Sequence, residues 1–265
     1  MSTESVRPPR AARGQVTQAR VLHSEWIKIR TLRSTFFTLA FAVGAMLLFG
    51  PLLSFFTDGR GHGFQPAEWS LGGYLFAQFA VGVLGVLVVT GEYATGMIRP
   101  TLTAVPSRLP VLWAKAAAYA AMIWGLMTAA SLTAFLLSQA ILSSRGVQST
   151  SLSAPGVTRV ILGTALYLTV LAVLSVGIGA LLRNTAAGIS TVLGLVLVLP
   201  ILTQTLPSAM ADKVFPYLPS NAGRALTLLQ QDSAMLAPWT GFTVFCLYVV
   251  MVLTGAAVAL KRRDV

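Results

Sequence analysis

Charge is scarce in this chain, and cysteine is scarcer. Of 265 residues only 10% are charged, against roughly one quarter in an ordinary soluble domain. Eight are acidic, against nineteen Lys and Arg. The single cysteine, Cys246, lies inside an apolar run, which excludes an intrachain disulfide and a cysteine-based metal cluster. The two histidines, His23 and His62, stand alone outside the apolar runs and read as surface residues, so no metal site is expected. There is no GxxxxGK loop followed by Ser or Thr, so the chain should not hydrolyse ATP by a P-loop mechanism. HExxH and GxSxG are missing too, and with them the zinc-hydrolase and serine-hydrolase signatures.

What is abundant is apolar. Hydrophobic residues make up 55% of the chain and the mean hydropathy is +0.75. That composition belongs to an all-α integral membrane protein. The formal charge of +11 would suggest nucleic acid in a soluble chain. Here it reads as the Lys and Arg bias of cytoplasmic flanks, and no nucleic-acid partner is expected.

Six apolar runs approach the roughly 20 residues of a bilayer crossing: 36–56, 71–90, 111–142, 160–182, 185–206 and 239–260. Residues 36–260 therefore read as one six-span transmembrane domain. Only Arg183 and Asn184 separate the fourth run from the fifth, which fits a tight hairpin turn, a single long kinked helix being the alternative. An even number of crossings puts both termini on one side. Fourteen of the nineteen Lys and Arg then fall on that side, which predicts a multi-pass plasma-membrane protein with both termini cytoplasmic.

Residues 1–15 are basic, contain Pro8 and Pro9, and read as a disordered tail. They lack the apolar core of a secretory signal. Residues 261–265 are a second short basic tail. Residues 16–35 differ. Ala19, Leu22, Trp26 and Ile29 recur at spacings of three and four, while Arg20, His23, Lys28 and Arg30 fall on the other side. The pattern predicts an amphipathic interfacial helix lying on membrane lipid, too charged to cross it. Its candidate functional residues are Glu25, Trp26, Lys28 and Arg33. Glu25 sits near the apolar side and Ile27 on the polar one. A second role, docking a cytoplasmic partner with Glu25 paired to a base, is compatible.

Apart from Lys115 at the start of the third run, the runs contain no Asp, Glu, Lys, Arg or His. Proton-coupled carriers need groups that change charge inside the membrane, so their absence argues against that class. Sodium sites built from carbonyls and hydroxyls stay open. Gln78, Thr128, Ser131, Ser138, Gln139, Thr164, Tyr167 and Gln204 read as helix-packing hydrogen-bond groups or as the lining for an amphiphilic cargo. The Ser175/Gly179 and Ser190/Gly194 pairs have the spacing of close helix approach.

Residues 91–115, GEYATGMIRPTLTAVPSRLPVLWAK, form the one long polar segment between two runs on the cytoplasmic side. Arg108 and Lys115, near the start of the third run, are expected to meet lipid phosphates. Glu92 needs a cation and is expected to pair with a base of the N-terminal helix or of its own segment. Before the last run, Ser220 and Asn221 are placed to cap a short helix presenting Ala222, Ala225, Leu226 and Leu229.

Taken together, SEWIKIRTLRS at 24–34, GEYATGMIRPTL at 91–102, PSRLPVLWAK at 106–115 and LPSNAGRAL at 218–226 resemble the ABC-2 type transporter permeases, in their small six-span form. The resemblance covers essentially the whole chain after the tail. It implies a dimer, with a second copy or a paralogue, bound to a separate cytoplasmic ABC ATPase subunit that holds ATP and Mg. No cofactor is implied in this chain, which is not itself an enzyme. It further implies a cytoplasmic coupling helix between the second and third spans, formed by Glu92, Tyr93, Thr95, Gly96, Met97, Ile98 and Arg99. Short outer helices before the last span would close the exit. The expected function is ATP-driven efflux of a hydrophobic or amphiphilic drug, lipid or peptide-like molecule. The alternatives are a non-transporting assembly or signalling partner of an ATPase and an ion-coupled secondary carrier.

Overall fold

The computed structural model describes residues 18–60, 63–94, 108–205, 207–230 and 234–262. The basic tail at 1–15 and residues 95–107 lie outside them. Among the described residues every regular element is helical: α1 (Gln18–Thr31), α2 (Arg33–Phe56), α3 (Pro66–Ser70), α4 (Tyr74–Ala94), α5 (Arg108–Ser144), α6 (Val157–Leu182), α7 (Thr185–Thr203), α8 (Ser208–Val214), α9 (Pro219–Arg224) and α10 (Pro238–Arg262). Six of these, α2, α4, α5, α6, α7 and α10, are long and apolar enough to span a bilayer. They coincide with the six runs read from the sequence, to within a few residues at each end.

α6 is the centre of the bundle. Two-thirds of its most apolar stretch is buried (67%), against 22% for α2 and 17% for α7. A helix apolar all round is stable only when surrounded by protein or by lipid. Here α6 takes the protein interior, while the exposed Phe36, Phe37 and Phe41 of α2 and Ile201 and Leu202 of α7 face outward. Close approach of α4 and α6 depends on small residues. A Cβ at Gly85 would lie 2.7 Å from Ser175 Cβ and 2.9 Å from the Ala172 carbonyl, and one at Gly179 would lie 3.0 Å from the Val86 carbonyl. Of the two Ser/Gly pairs, 175/179 therefore sits at a helix contact. Gly194 has nothing within 4 Å of its Cβ position, and Ser190 is exposed.

Most hydroxyls inside the spans, Thr164 among them, donate to a carbonyl of their own helix, and a few tyrosines and glutamines join helices. Tyr119 of α5 donates to the Val81 carbonyl of α4 at 2.7 Å, and Tyr167 of α6 donates to Gln78 Oε1 of α4 at 2.7 Å. Gln139 of α5 donates to Ser70 Oγ at 2.8 Å and accepts from the Thr150 N–H at 2.7 Å. Gln204 is exposed.

Between α6 and α7 the chain turns within two residues. Arg183 ends α6 in the left-handed region (φ 54°, ψ 15°), its N–H closing on the Gly179 carbonyl at 2.9 Å. Asn184 then caps α7, its Oδ1 accepting from the Ala187 N–H at 2.9 Å. This is a hairpin turn, and the alternative of one kinked helix is not realised. Within α7, Gly194–Val198 widens into a π turn just before Pro200. Pro has no N–H and its ring crowds the carbonyl four residues back, so the wider turn relieves both constraints.

Between α7 and α10, α8 is exposed, with Met210 and Val214 open to the outside, whereas the chain from Leu218 to Thr227 turns inward. Leu218, Ala222, Ala225, Leu226 and Thr227 are all buried against α6 and α10. The expected caps are corrected here. Helix α9 begins at Pro219, whose fixed φ suits a first helical position, and neither Ser220 nor Asn221 caps it. Asn221 instead donates to the Phe215 carbonyl at 2.9 Å. Leu229 lies beyond the helix, its backbone N–H donating to Glu68 Oε1 and its carbonyl accepting from Arg159 Nη2 at 3.2 Å.

Candidate functional site

Four charged side chains from three helices close into a ring at the end of α4. Lys28 of α1 donates to Glu25 Oε1 at 2.8 Å and to Glu92 Oε1 at 2.9 Å. Lys115 of α5 donates to Glu25 Oε2 at 2.6 Å and to Glu92 Oε1 at 2.7 Å. Each carboxylate thus lies between two ammonium groups and each ammonium between two carboxylates. The alternation makes all four contacts attractive and leaves the ring electrically neutral.

The local sequence explains how the helices present these groups. Glu25 and Lys28 are three residues apart, so they share one face of α1. That face is turned inward, because Glu25 and Ile29 are buried while Leu22 and Ile27 are exposed. The two residues that spoil the amphipathic pattern are the ones this packing accounts for. Glu25 points at the protein, and Ile27 points away. Glu92 lies in the last turn of α4. Lys115 is seven residues into α5, about 10 Å along the axis at 1.5 Å per residue.

Burial sets the stakes. The Lys115 and Glu25 side chains are 4% and 2% exposed, whereas Glu92 is 12% and Lys28 35% exposed. An ion carried into a protein interior costs several kcal/mol unless paired and hydrogen-bonded. Here burial pulls the Lys28 pKa down, but the hydrogen bonds and charges of Glu25 and Glu92 outweigh it and hold it above the ordinary lysine value. Lys28 therefore stays charged at neutral pH. One acceptor is left over: Glu92 Oε2 is buried and meets no hydrogen-bond donor among the described residues.

A second cationic contact lies beside the ring. The Arg183 guanidinium stacks over the Tyr93 ring, 5.5 Å from its centroid, and reaches the Ala259 carbonyl of α10 at 3.4 Å. The α6–α7 turn is thereby tied to the end of α4 and to the end of α10.

The structure brings together Glu25, Lys28 and Glu92, and the base expected for Glu92 is present twice over, as Lys28 and as Lys115. Lys115 corrects the expectation that it meets lipid phosphates, since the two glutamates surround it in the interior. Trp26 is half-buried against the core, and Arg33 is exposed at the start of α2, outside the ring. Tyr93 lies under Arg183. Thr95, Gly96, Met97, Ile98 and Arg99 fall outside the described residues. The sequence reading had Lys115 among the bases open to Glu92 but not as the partner of Glu25, and it missed Arg183 as a structural group. One signal was available for Lys115: it is the sole charge inside an otherwise uncharged run, and a buried lysine requires an acid.

The ring holds two carboxylates neutralised by two ammonium groups, and among the described residues no group of three His, Cys, Asp or Glu could hold a metal ion. What it can do is mechanical: fix α1 to the end of α4 and to α5. No family model matches the chain, and no curated protein matches it significantly.

Proposed function

We propose that this chain is the membrane-spanning subunit of an ATP-driven exporter, of the ABC-2 permease type that its motifs resemble. The observation that carries the reading is the ion-pair ring. It joins the two helices that flank residues 95–107 to the N-terminal helix, through groups that break at a high cost if pulled apart one at a time. A push delivered by an ATPase on residues 95–107 would act directly on Glu92 and Lys115 and, through them, on α1. Helix α1 would lie along the cytoplasmic membrane surface, where its exposed Leu22 and Ile27 meet lipid.

The spans support the same reading. The charge deepest within any of them is Lys115, two turns in and already neutralised, so no titrating relay crosses the bilayer. Energy for export would come from a partner. The pathway for a hydrophobic or amphiphilic cargo would form with a second copy or a paralogue.

Two measurements test this. Pull-down of the full chain from native membranes should recover a nucleotide-hydrolysing subunit. Reconstituted together, the two should move a fluorescent amphiphile only with ATP and Mg, and Glu92→Gln should lower that flux about tenfold or more while leaving the ATPase bound. Capture of an ATPase without any flux would favour an assembly or signalling role. ATP-independent flux driven by an ion gradient would overturn the proposal.

A further inference from the structure

At the opposite end of α4, about 27 Å from the ring at 1.5 Å per residue, charge is arranged quite differently. A cavity of about 410 Å³ opens between α2, α3, α4, α6 and the buried stretch that follows α9. Small-molecule sites typically measure roughly 300–1,000 Å³. Glu68 and Arg224 both line it, with Tyr74 and Thr227 between them in the polar part of the wall. Leu53, Trp69 and Leu75 line it too, and each is exposed on the outer surface of the bundle (38%, 41% and 40%). The cavity therefore has a polar floor and an apolar flank open to the surroundings of the spans.

Its two charges are of opposite sign, yet no ion pair among the described residues joins them. Glu68 accepts the Leu229 backbone N–H with one oxygen only. Arg224 forms no ion pair among the described residues, and its buried Nε–H meets no acceptor among them. Arg224 thus lines the cavity as a cation without an ion pair among the described residues, and an uncompensated cation on a cavity wall is the complement of an anionic group from outside. A carboxylate across the same cavity, untouched by that guanidinium, is the complement of a positive group. A lone anion would find Glu68 repulsive, and a lone cation would find Arg224 repulsive.

We propose that this cavity binds the headgroup of a zwitterionic amphiphile. Its anionic group lies at Arg224, its ammonium lies at Glu68, and its tails run out along Leu53, Trp69 and Leu75. The site does not depend on the chain being a transporter, since its occupancy is an equilibrium property of this one chain.

The test uses the full chain in a non-ionic detergent, with binding read by native mass spectrometry and calorimetry. The probes are dihexanoylphosphatidylethanolamine, dihexanoylphosphatidylglycerol and free phosphoethanolamine. The zwitterionic lipid should saturate one site and bind at least about tenfold more tightly than either of the others, in line with one charge-assisted hydrogen bond. Arg224→Gln should weaken it about tenfold. Glu68→Gln, which keeps an oxygen for the Leu229 N–H, should erase the preference over the anionic lipid. Leu75→Trp fills the cavity from its exposed flank without touching either charge and should abolish saturable binding. Should Arg224→Gln not fold, Leu75→Trp and Glu68→Gln decide the matter alone. Equal binding of the two lipids would overturn the proposal. So would a preference that survives Glu68→Gln, binding that survives Leu75→Trp, equal binding of free phosphoethanolamine, or no saturable binding at all.

Discussion

The two ends of α4 handle the same problem, charge next to a membrane span, in opposite ways. At Glu92 the charges close on one another: two acids, two bases, four contacts between 2.6 and 2.9 Å. At Glu68 they are held apart. Glu68 and Arg159 grip the backbone of Leu229 from its two sides, and Arg224 lines a cavity without an ion pair among the described residues. The first arrangement gives rigidity, because each ion meets both of its opposite charges only when three helices stand in one position. The second gives receptivity, because neither charge is neutralised by the other. A buried charge cluster that neutralises itself fixes geometry, and charges held apart on a cavity wall invite a ligand.

That contrast can be broken most forcibly at Lys115. Lys115→Met strips the more deeply buried of the ring's two cations from two carboxylates, and removing one partner of a buried pair costs about 3–5 kcal/mol. The expected result is a large drop in the melting temperature of the detergent-solubilised protein, or loss of the folded peak on size exclusion. Adding Glu25→Gln, which takes away the matching negative charge, should restore part of the loss. A Lys115→Met protein that melts like the parent would mean the ring holds nothing together.

A smaller effect is expected from packing at the receptive end. A Cβ at Gly223 of α9 would lie 2.6 Å from Tyr167 Cδ2 and 2.7 Å from Phe245 Cδ1, so Gly223→Ala overpacks the buried stretch at about 1–3 kcal/mol. The same change at Gly194 meets open space, and there Ala should be neutral or stabilising by up to about 1 kcal/mol. Paired thermal melts of the two variants give this comparison, and equal shifts would contradict the packing described.

The smallest and most specific effect is alkaline. The Lys28 pKa is raised in the folded protein, so its contribution is complete below the ordinary lysine value of 10.5 and is lost as pH climbs through the higher folded value. Melting temperature should therefore fall more steeply above pH 10.5 in the parent than in Lys28→Gln. Parallel curves would remove Lys28 from the stabilising set. Its side chain is one-third exposed, so the difference is modest.

Which parts of this could be read beforehand follows from how far apart in sequence the partners stand. The six spans were legible because hydropathy is a property of contiguous residues. So was the turn at Arg183 and Asn184, because the two-residue break between the apolar runs is local. Half of the ring was also legible: Glu25 and Lys28 form an i, i+3 pair, and Glu92 had to find a base. Lys115 was misassigned because 90 residues separate it from Glu25. A lysine near a span end looks the same whether it reaches outward to phosphate or inward to a carboxylate, and only the seating of α1 on α5 decides. The Asn221 cap failed for a related reason. Pro219 had already fixed the start of α9, which released the amide to hold Phe215. The polar cavity was illegible altogether, since Glu68 and Arg224, 156 residues apart, come to one cavity wall only through the fold.

The turn at Arg183 and Asn184 also limits how the bundle can be rearranged. Two residues reach at most about 7 Å when fully extended. That leaves no slack for α6 and α7 to slide past each other by even a couple of helical turns. Any large motion must carry these two helices as a unit. With Arg183 also fastened to Tyr93 and to Ala259, a displacement of this hairpin would be passed to the ends of α4 and α10.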